Sequence, residues 1–301
     1  MRLSVLAVKK LRILDFITLQ TFNLTTSPFI LDCAGKKLSL AAPVVMGILN
    51  ITPDSFYDGG RFLNLIDQLK QVEKMISEGA VIIDIGATST RPGAIPMDEE
   101  QEMVRLLPSL AAIRGHFSEA VISVDTYRSA VAKAAIEHGA MMINDIYGGR
   151  FDDEMFDLVA RHNIPYVLMH MQGTPDNMQI NPHYKDVVSE VHEYFRSRLA
   201  LLPTGFNQVI IDPGFGFGKT VENSFRLLQQ FESFRSFGFP LLAGLSRKSM
   251  INRILHIKAQ EALNGTTVLN TIALLKGANI LRVHDVKEAV EAIKLVAELG
   301  G

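Results

Sequence analysis

The sequence predicts a parallel (β/α)8 barrel, a single domain behind a short N-terminal extension or hairpin. Two observations lead there. Short β-branched apolar runs alternate with helix-length amphipathic stretches eight times over about 260 residues, which is the arithmetic of such a barrel. Nearly every apolar run is also followed at once by polar residues and glycine, as expected where strand ends converge on one functional mouth. The barrel is assigned to residues 41–301 and the extension to 1–40. A doubly wound open sheet uses the same units, so the alternation alone leaves that architecture open.

In the extension, Leu, Val and Ile mix with Lys9, Lys10 and Arg12. The charges interrupt the apolar run and no small-residue cleavage site follows, unlike a secretory signal. A disordered extension, an early start codon or a short cap remain as readings. Phe29–Asp32 and Lys36–Leu40 flank Ala34-Gly35 and are expected to form a hairpin plugging the closed end of the barrel.

The expected strands are Val44–Leu49, Val81–Ile85, Ala120–Val124, Met141–Ile143, Tyr166–Met169, Gln208–Ile211, Leu241–Ala243 and Asn279–Val283. They are nearly all apolar, as strands are when helices cover a parallel sheet. The expected helices are Leu63–Glu78, Glu99–Arg114, Arg128–His138, Asp153–His162, His183–Leu202, Val221–Phe231, Gln260–Lys276 and Val286–Leu299. In the first, Leu65, Leu69, Val72 and Ile76 recur at helical spacing, and Gly79 stands where a C-terminal cap belongs.

Composition removes several function classes. With 48% apolar and 21% charged residues the chain is globular in character, and 30 basic against 32 acidic residues form no basic block for nucleic acid. No apolar stretch approaches the roughly 20 residues of a membrane span. The single Cys33 excludes an internal disulfide framework or a multi-cysteine zinc site and fits a reducing, cytoplasmic setting.

The residues after the strands are the informative ones. Asn50, Asp84, Asp125, Asn144-Asp145, His170, Asp212, Ser246 and Lys248, and Arg282 with His284 all fall there. An acid after a strand often only caps the next helix, and Asp145, Asp153 and Asp285 are expected to do so. Asp84, Asp125 and Asp212 sit at strand ends with the helix still several residues away. Three carboxylates and an Asn sharing a cavity are costly to desolvate without a ligand of matching donors. Arg91, Lys248, Arg282 and His284 point to an anion at the same mouth, although each alone also reads as a surface charge or a partner for an aspartate. His170 reads as a packed core or rim histidine. Gly218-Lys219-Thr220 ends like a phosphate loop, but Pro213 stands where its first glycine is required, so that motif fails.

These residues, taken in order, resemble one family. Met46–Phe56, Asp84 with Ser89-Thr90-Arg91-Pro92-Gly93, Ser123–Thr126, Asn144–Ile146, Met169–Gly173, Asp212–Lys219, Ser246–Ser249 and Arg282–Asp285 are similar to the successive signatures of dihydropteroate synthases. The resemblance runs from about Val44 to Leu299. It implies condensation of 6-hydroxymethyl-7,8-dihydropterin diphosphate with p-aminobenzoate, giving 7,8-dihydropteroate and diphosphate for folate synthesis.

Carried onto matching positions, the resemblance places Asp212, Asn144 and Asp125 at the donor edge of the pterin, Lys248 at its ring acceptors and Arg282 on its face. Asn50, Arg91, Arg282 and His284 would meet the diphosphate, with Mg2+ near Asn50. Asp84 and Asp125 would sit by the carbocation of a dissociative reaction, and Asp84, Asp125, Lys248 and Arg282 form the expected catalytic set. Phe217 is expected to line the pterin site, and Phe56, Thr90, Pro92 and Ser246 the p-aminobenzoate pocket. A homodimer and no macromolecular partner are also implied. Ala87-Thr88 departs from the residues relatives often carry there. Two rivals share the fold: a pterin-binding methyltransferase serving a corrinoid, which has no need of Ser89–Gly93 or Arg282–His284, and a silent homologue, against which the intact charged residues argue.

Overall fold

The computed structural model describes residues 29–51, 65–88, 97–175 and 177–299. Two short strands, β1 (Ile30–Cys33) and β2 (Lys36–Ser39), form the expected antiparallel hairpin. Ala34 and Gly35 both carry positive φ (52° and 90°), as a two-residue turn matched to strand twist requires.

The barrel strands are β3 (Val44–Asn50), β4 (Ile82–Gly86), β5 (Val121–Asp125), β6 (Met142–Asp145), β7 (Tyr166–Met169), β8 (Val209–Asp212), β9 (Leu242–Ala243) and β10 (Ile280–Val283). All pair in parallel, in the order β8-β7-β6-β5-β4-β3-β10-β9, and a parallel bridge between Ile211 and Leu241 joins the two ends. Neighbours in sequence stay neighbours in space throughout, so this is the barrel and not the doubly wound sheet.

The helices are α1 (Leu65–Ser77), α2 (Glu99–His116), α3 (Ser129–Glu137), α4 (Met155–His162), α5 (Val187–Leu199), α6 (Val221–Gln229), α7 (Ser249–Leu255), α8 (Leu263–Leu275) and α9 (Val286–Ala297). Eight of them were expected. The seven-residue α7 is too short to leave a periodic signal, and 3-10 turns at Phe231–Phe237 and Ala259–Glu261 were missed likewise. Helix α5 starts at Val187 and not His183, because Asp186 caps it by accepting the Ser189 N–H at 2.7 Å. Gly79, with φ +104°, turns the chain out of α1 as expected. Among the described residues no helix is long and apolar enough to cross a membrane.

Three expected helix caps act otherwise. Asp145 closes a turn, accepting from the Tyr147 and Gly149 N–H groups and the Tyr166 hydroxyl. Asp152 and not Asp153 serves the local backbone, accepting from Ser129 and Glu154 N–H. Asp285 precedes α9, but its carboxylate goes to Arg247 at 2.6 and 2.9 Å. For Asp145 and Asp285 a donor distant in sequence takes the carboxylate from the next helix.

Beneath the near-continuous apolar character the strands alternate. Val45, Ile83, Ile122, Ile143, Ile211 and Leu281 point outward into the layer under the helices. Met46, Ile82, Val121, Met142, Val167, Ile210, Leu242 and Ile280, one from each barrel strand, point inward and pack on Leu31, Cys33, Leu38 and Leu40 of the hairpin. The hairpin therefore closes the N-terminal end with an apolar plug, and the open end is left to the residues further along each strand.

Candidate active site

One pleat, two residues, beyond the apolar inward layer the barrel turns polar. Ile82 leads to Asp84, Val121 to Ser123, Met142 to Asn144, Ile210 to Asp212 and Ile280 to Arg282. A second pleat brings Gly86, Asp125 and His284 to the rim, and Asn50 follows Met46 in the same way. Side chains scattered over some 230 residues thus meet because the strand period is two and the barrel is closed.

Asp84 is the deepest. It is the third residue of a five-residue strand, not its end, and is fully buried. Its Oδ1 accepts from Ser123 Oγ at 2.6 Å, and its Oδ2 from Asn144 Nδ2 at 2.9 Å and Arg282 Nε at 2.7 Å. A buried carboxylate is tolerable only with such a complement of donors. Arg282 reaches on with Nη2 to Asp125 at 2.8 Å, so one guanidinium bridges two carboxylates. Burial pushes the Asp125 carboxyl up to about 7 against the opposing pull of Arg282, and Asp84 adds to the rise.

Asn50 and Asp125 flank Gly86. A Cβ there would lie in ordinary contact with both, 3.6 Å from Asn50 Oδ1 and 3.7 Å from Asp125 Cβ, which places the two side chains on either side of one strand end. Two hard oxygen donors at a strand end suit Mg2+, which takes one or two protein oxygens and completes its shell with water and phosphate. Among the described residues no group of three His, Cys, Asp or Glu could hold a metal without such help.

Across the mouth, Asp212 accepts the Gly214 N–H at 2.8 Å, and burial raises its pKa while Lys248 opposes the shift. Lys248 donates to the Phe215 carbonyl, and its Nζ lies 4.5 Å from the Phe217 ring centroid. Burial lowers its pKa to about 8, with Asp212 opposing and Arg282 assisting. Gly244 lies between Lys248 and Asp212: a Cβ would stand 3.9 Å from Lys248 Nζ and 4.0 Å from Asp212 Oδ2. Ser246 Oγ lies 3.0 Å from His284 Nδ1 and accepts the His284 N–H at 3.2 Å, tying the ends of β9 and β10.

The structure thus brings Asn50, Asp84, Asp125, Asn144, Asp212, Phe217, Ser246, Lys248, Arg282 and His284 to one face of the barrel. Phe56, Thr90, Arg91 and Pro92 lie outside the described residues. His170 is the packed rim histidine that was expected, 6% exposed. Sequence reasoning gave no role to Ser123, which completes the Asp84 cluster, or to Arg247. Arg247 adopts φ +55° between Ser246 and Lys248, with its guanidinium on Asp285 and on the Ala259 and Gln260 carbonyls. Ser123 was legible in the two-residue alternation of β5; the tie from Arg247 to Asp285, 38 residues on, left no local signal.

With this geometry in place, comparisons with known proteins converge. The family described as pterin binding enzyme matches residues 46–284. The dihydropteroate synthase of Escherichia coli (strain K12) is 44% identical over 265 residues, covering 87% of this chain and 93% of that protein. That of Synechocystis sp. is 42% identical over 262 residues, covering 85% and 89%. Among solved structures, Yersinia pestis dihydropteroate synthase in a sulfonamide drug complex has a TM-score of 0.85 at 40% identity, covering 90% of this chain and 99% of that one. Xanthomonas albilineans dihydropteroate synthase with 4-aminobenzoic acid has a TM-score of 0.83 at 38% identity, covering 91% and 98%.

Proposed function

The chain belongs to the pterin-binding enzyme family, and we propose that it works as a dihydropteroate synthase, a transferase that joins 6-hydroxymethyl-7,8-dihydropterin diphosphate to p-aminobenzoate with loss of diphosphate. The observation that carries the proposal is the cluster of Asp84, Asn144, Asp125 and Arg282 beside Asp212 and Lys248, in a barrel so similar to such enzymes.

In this reading the pterin's 2-amino and N3–H edge donates to Asp212, with Asn144 and Asp125 beside it, and Lys248 donates to ring acceptors. Arg282 lies on the ring face through its planar guanidinium. Arg91, His284 and Asn50 meet the diphosphate, and Asn50 would hold an Mg2+ ion there, which would supply positive charge to the leaving group. The electron pair of the breaking C–O bond leaves with diphosphate. Asp84 and Asp125 stabilise the carbon that becomes cationic. The p-aminobenzoate nitrogen then forms the new C–N bond and gives up a proton. Its pocket is assigned to Phe56, Thr90, Pro92 and Ser246. No covalent nucleophile is needed.

A homodimer and a cytoplasmic setting belong to the same reading. Val268 and Leu275 of α8, a helix without a charged residue, and Leu295 of α9 are exposed and would supply an apolar face between copies.

The test mixes purified protein with the dihydropterin diphosphate, p-aminobenzoate and Mg2+ and follows diphosphate release and dihydropteroate. Product that requires both substrates supports the proposal. Tight pterin binding without product returns the chain to its methyl-transfer or silent relatives, and absence of binding overturns the assignment of the strand-end acids.

A further inference from the structure

Lys219 ends the glycine-rich turn whose last residues imitate a phosphate loop, yet its side chain turns inward and is 4% exposed. Nζ lies 2.9 Å from the Gly214 carbonyl, 3.0 Å from that of Phe217, 3.2 Å from that of His170 and 2.8 Å from His170 Nδ1. Carbonyl oxygens only accept, so the nitrogen is the donor to all three. Burial pushes its pKa well down, Asp212 opposes that shift, and the converging carbonyls favour the ammonium, whose three N–H groups are shared among four acceptors. Burial and the neighbouring Lys219 charge hold the His170 pKa well below its usual value, which keeps Nδ1 of the neutral ring available as an acceptor.

Every carbonyl of the turn has a side-chain donor. Those of Gly214 and Phe217 take Lys219, that of Phe215 takes Lys248, that of Gly216 takes Gln179 at 2.7 Å and that of Gly218 takes Tyr184 at 2.7 Å. The turn is also pressed hard on the end of β7. A Cβ on Gly214 would meet the His170 carbonyl oxygen at 2.0 Å, and one on Gly218 the Gln172 carbonyl oxygen at 2.4 Å, with both glycines at positive φ. Three carbonyl dipoles therefore converge on a buried point where the ammonium is what holds them together. The outer side of the same turn carries the Phe215 carbonyl and the Phe217 ring that contact Lys248, and Asp212 is bonded to its Gly214 N–H.

We propose that Lys219 is a positioning residue for the pterin site: its buried ammonium ties the Gly214–Gly218 turn into the shape that presents Asp212, the Phe215 carbonyl and the Phe217 ring alongside Lys248. The inference rests on the pterin-site reading above and gives that reading a support outside the substrate's reach. Lys219 contacts no substrate in this arrangement and acts through Lys248 and Asp212.

The test compares wild type with Lys219→Met. The pterin KM rises about tenfold or more, while the p-aminobenzoate KM stays within about twofold, because the second pocket does not hang on this turn. A general loss of folded protein would lower the rate without that split. Lysine NMR of the ligand-free protein, with Lys248→Met assigning the signal, gives a second readout. Lys248 is buried with Asp212, Arg282 and Lys219 as its charged neighbours. Loosening the turn wets it and the lost Lys219 charge spares it a like neighbour, so its pKa moves up from about 8 toward the ordinary lysine value. Lys219→Gln, which removes the same charge but keeps two donors, moves it less if the turn's shape is what matters. Should Lys219→Met not fold, Lys219→Gln keeps two donors and gives the same split at smaller amplitude.

Unchanged pterin KM and unchanged Lys248 titration in a folded variant overturn the proposal. A wild type that binds no 6-hydroxymethyl-7,8-dihydropterin overturns the functional reading instead, and the ligand-free titration of Lys248 still decides the role of Lys219.

Discussion

Replacing Asp84 separates the geometry of its cluster from its charge. Asp84→Ala removes the acceptor of Asn144 Nδ2 and of Arg282 Nε, and leaves the Ser123 hydroxyl to turn elsewhere. Stranding buried donors costs about 1–3 kcal/mol each, and breaking a buried ion pair from one side about 3–5 kcal/mol. Arg282 keeps Asp125, so about 3–5 kcal/mol is expected in total. Asp84→Asn is milder. Both demanding donors sit on Oδ2 and only the Ser123 hydroxyl on Oδ1. The amide therefore keeps its oxygen at the Oδ2 position and points its NH2 at Ser123, whose hydroxyl rotates to accept. What is lost is charge assistance in the remaining bonds, about 1–2 kcal/mol. Urea unfolding at constant slope reads the gap of about 2 kcal/mol between the variants. Turnover falls in both by about a hundredfold or more, since each loses one of the two anions assigned to the reacting carbon and leaves Asp125 alone there. Equal destabilisation by Asn and Ala would refute the acceptor argument, and full turnover in Asp84→Asn would refute the electrostatic one.

Lys248 gives a pH dependence of two signs. Its folded pKa of about 8 lies below the unfolded value, so the unfolded chain binds the extra proton between about 8 and 10.5, and this group's share of stability rises with pH over that window. Pterin affinity needs the ammonium and falls as pH passes about 8; Lys248→Met flattens both trends, measured by unfolding and by calorimetry. Two glycines calibrate the steric argument: Gly214→Ala, at φ +70° with a backbone oxygen 2.0 Å from the new Cβ, costs about 3 kcal/mol or more, whereas Gly47→Ala meets the flexible Met75 Sδ at 2.7 Å and costs about 1 kcal/mol, both by urea unfolding. Arg247→Gly relieves a backbone held at φ +55° but surrenders the Asp285 pair, so it loses stability, and adding Asp285→Asn costs about 1 kcal/mol or less further; an additive double mutant would show that the two do not act together.

The barrel was legible because its signal is local and repeated. Each strand of four or five apolar residues followed by polar ones announces itself, and the helices carry a spacing that survives any packing. The hairpin was legible from Ala34-Gly35, since few sequences other than short turn pairs separate two such runs. The site was legible as a set of strand-end residues, but its depth was not. Asp84 was read as a strand end because all five residues of β4 are buried, and only the inward alternation from Ile82 shows it to lie a full pleat below Asp125. The failed caps have the same origin. Asp145 and Asp285 have the composition of helix starters, and what decides against that role is a tyrosine 21 residues away in one case and an arginine 38 away in the other. Lys219 was left without a role once the phosphate-loop motif failed, for want of the one fact sequence cannot supply, that four acceptors converge on it.

The ion pairs at the mouth constrain how a diphosphate ester enters. Arg282 spends Nε and one Nη2 donor on two carboxylates and keeps its planar face and its other N–H groups for a ligand, so only an anion that competes for the Nε–Nη2 edge displaces one of them. The two are not equivalent. Asp84 is fully buried and would keep Ser123 and Asn144, but a guanidinium leaving it would strand a charge with no access to water. The Asp125 side chain is 16% exposed and has solvent to turn to. The exchange therefore falls on the Arg282–Asp125 contact. That carboxylate also stands beside Asp212 at the amino edge of the pterin, so the movement that releases Arg282 for the ligand frees a further acceptor for the ligand's own donors. Binding on this account costs little net pairing, because each bond broken inside the cluster is replaced by one to the substrate.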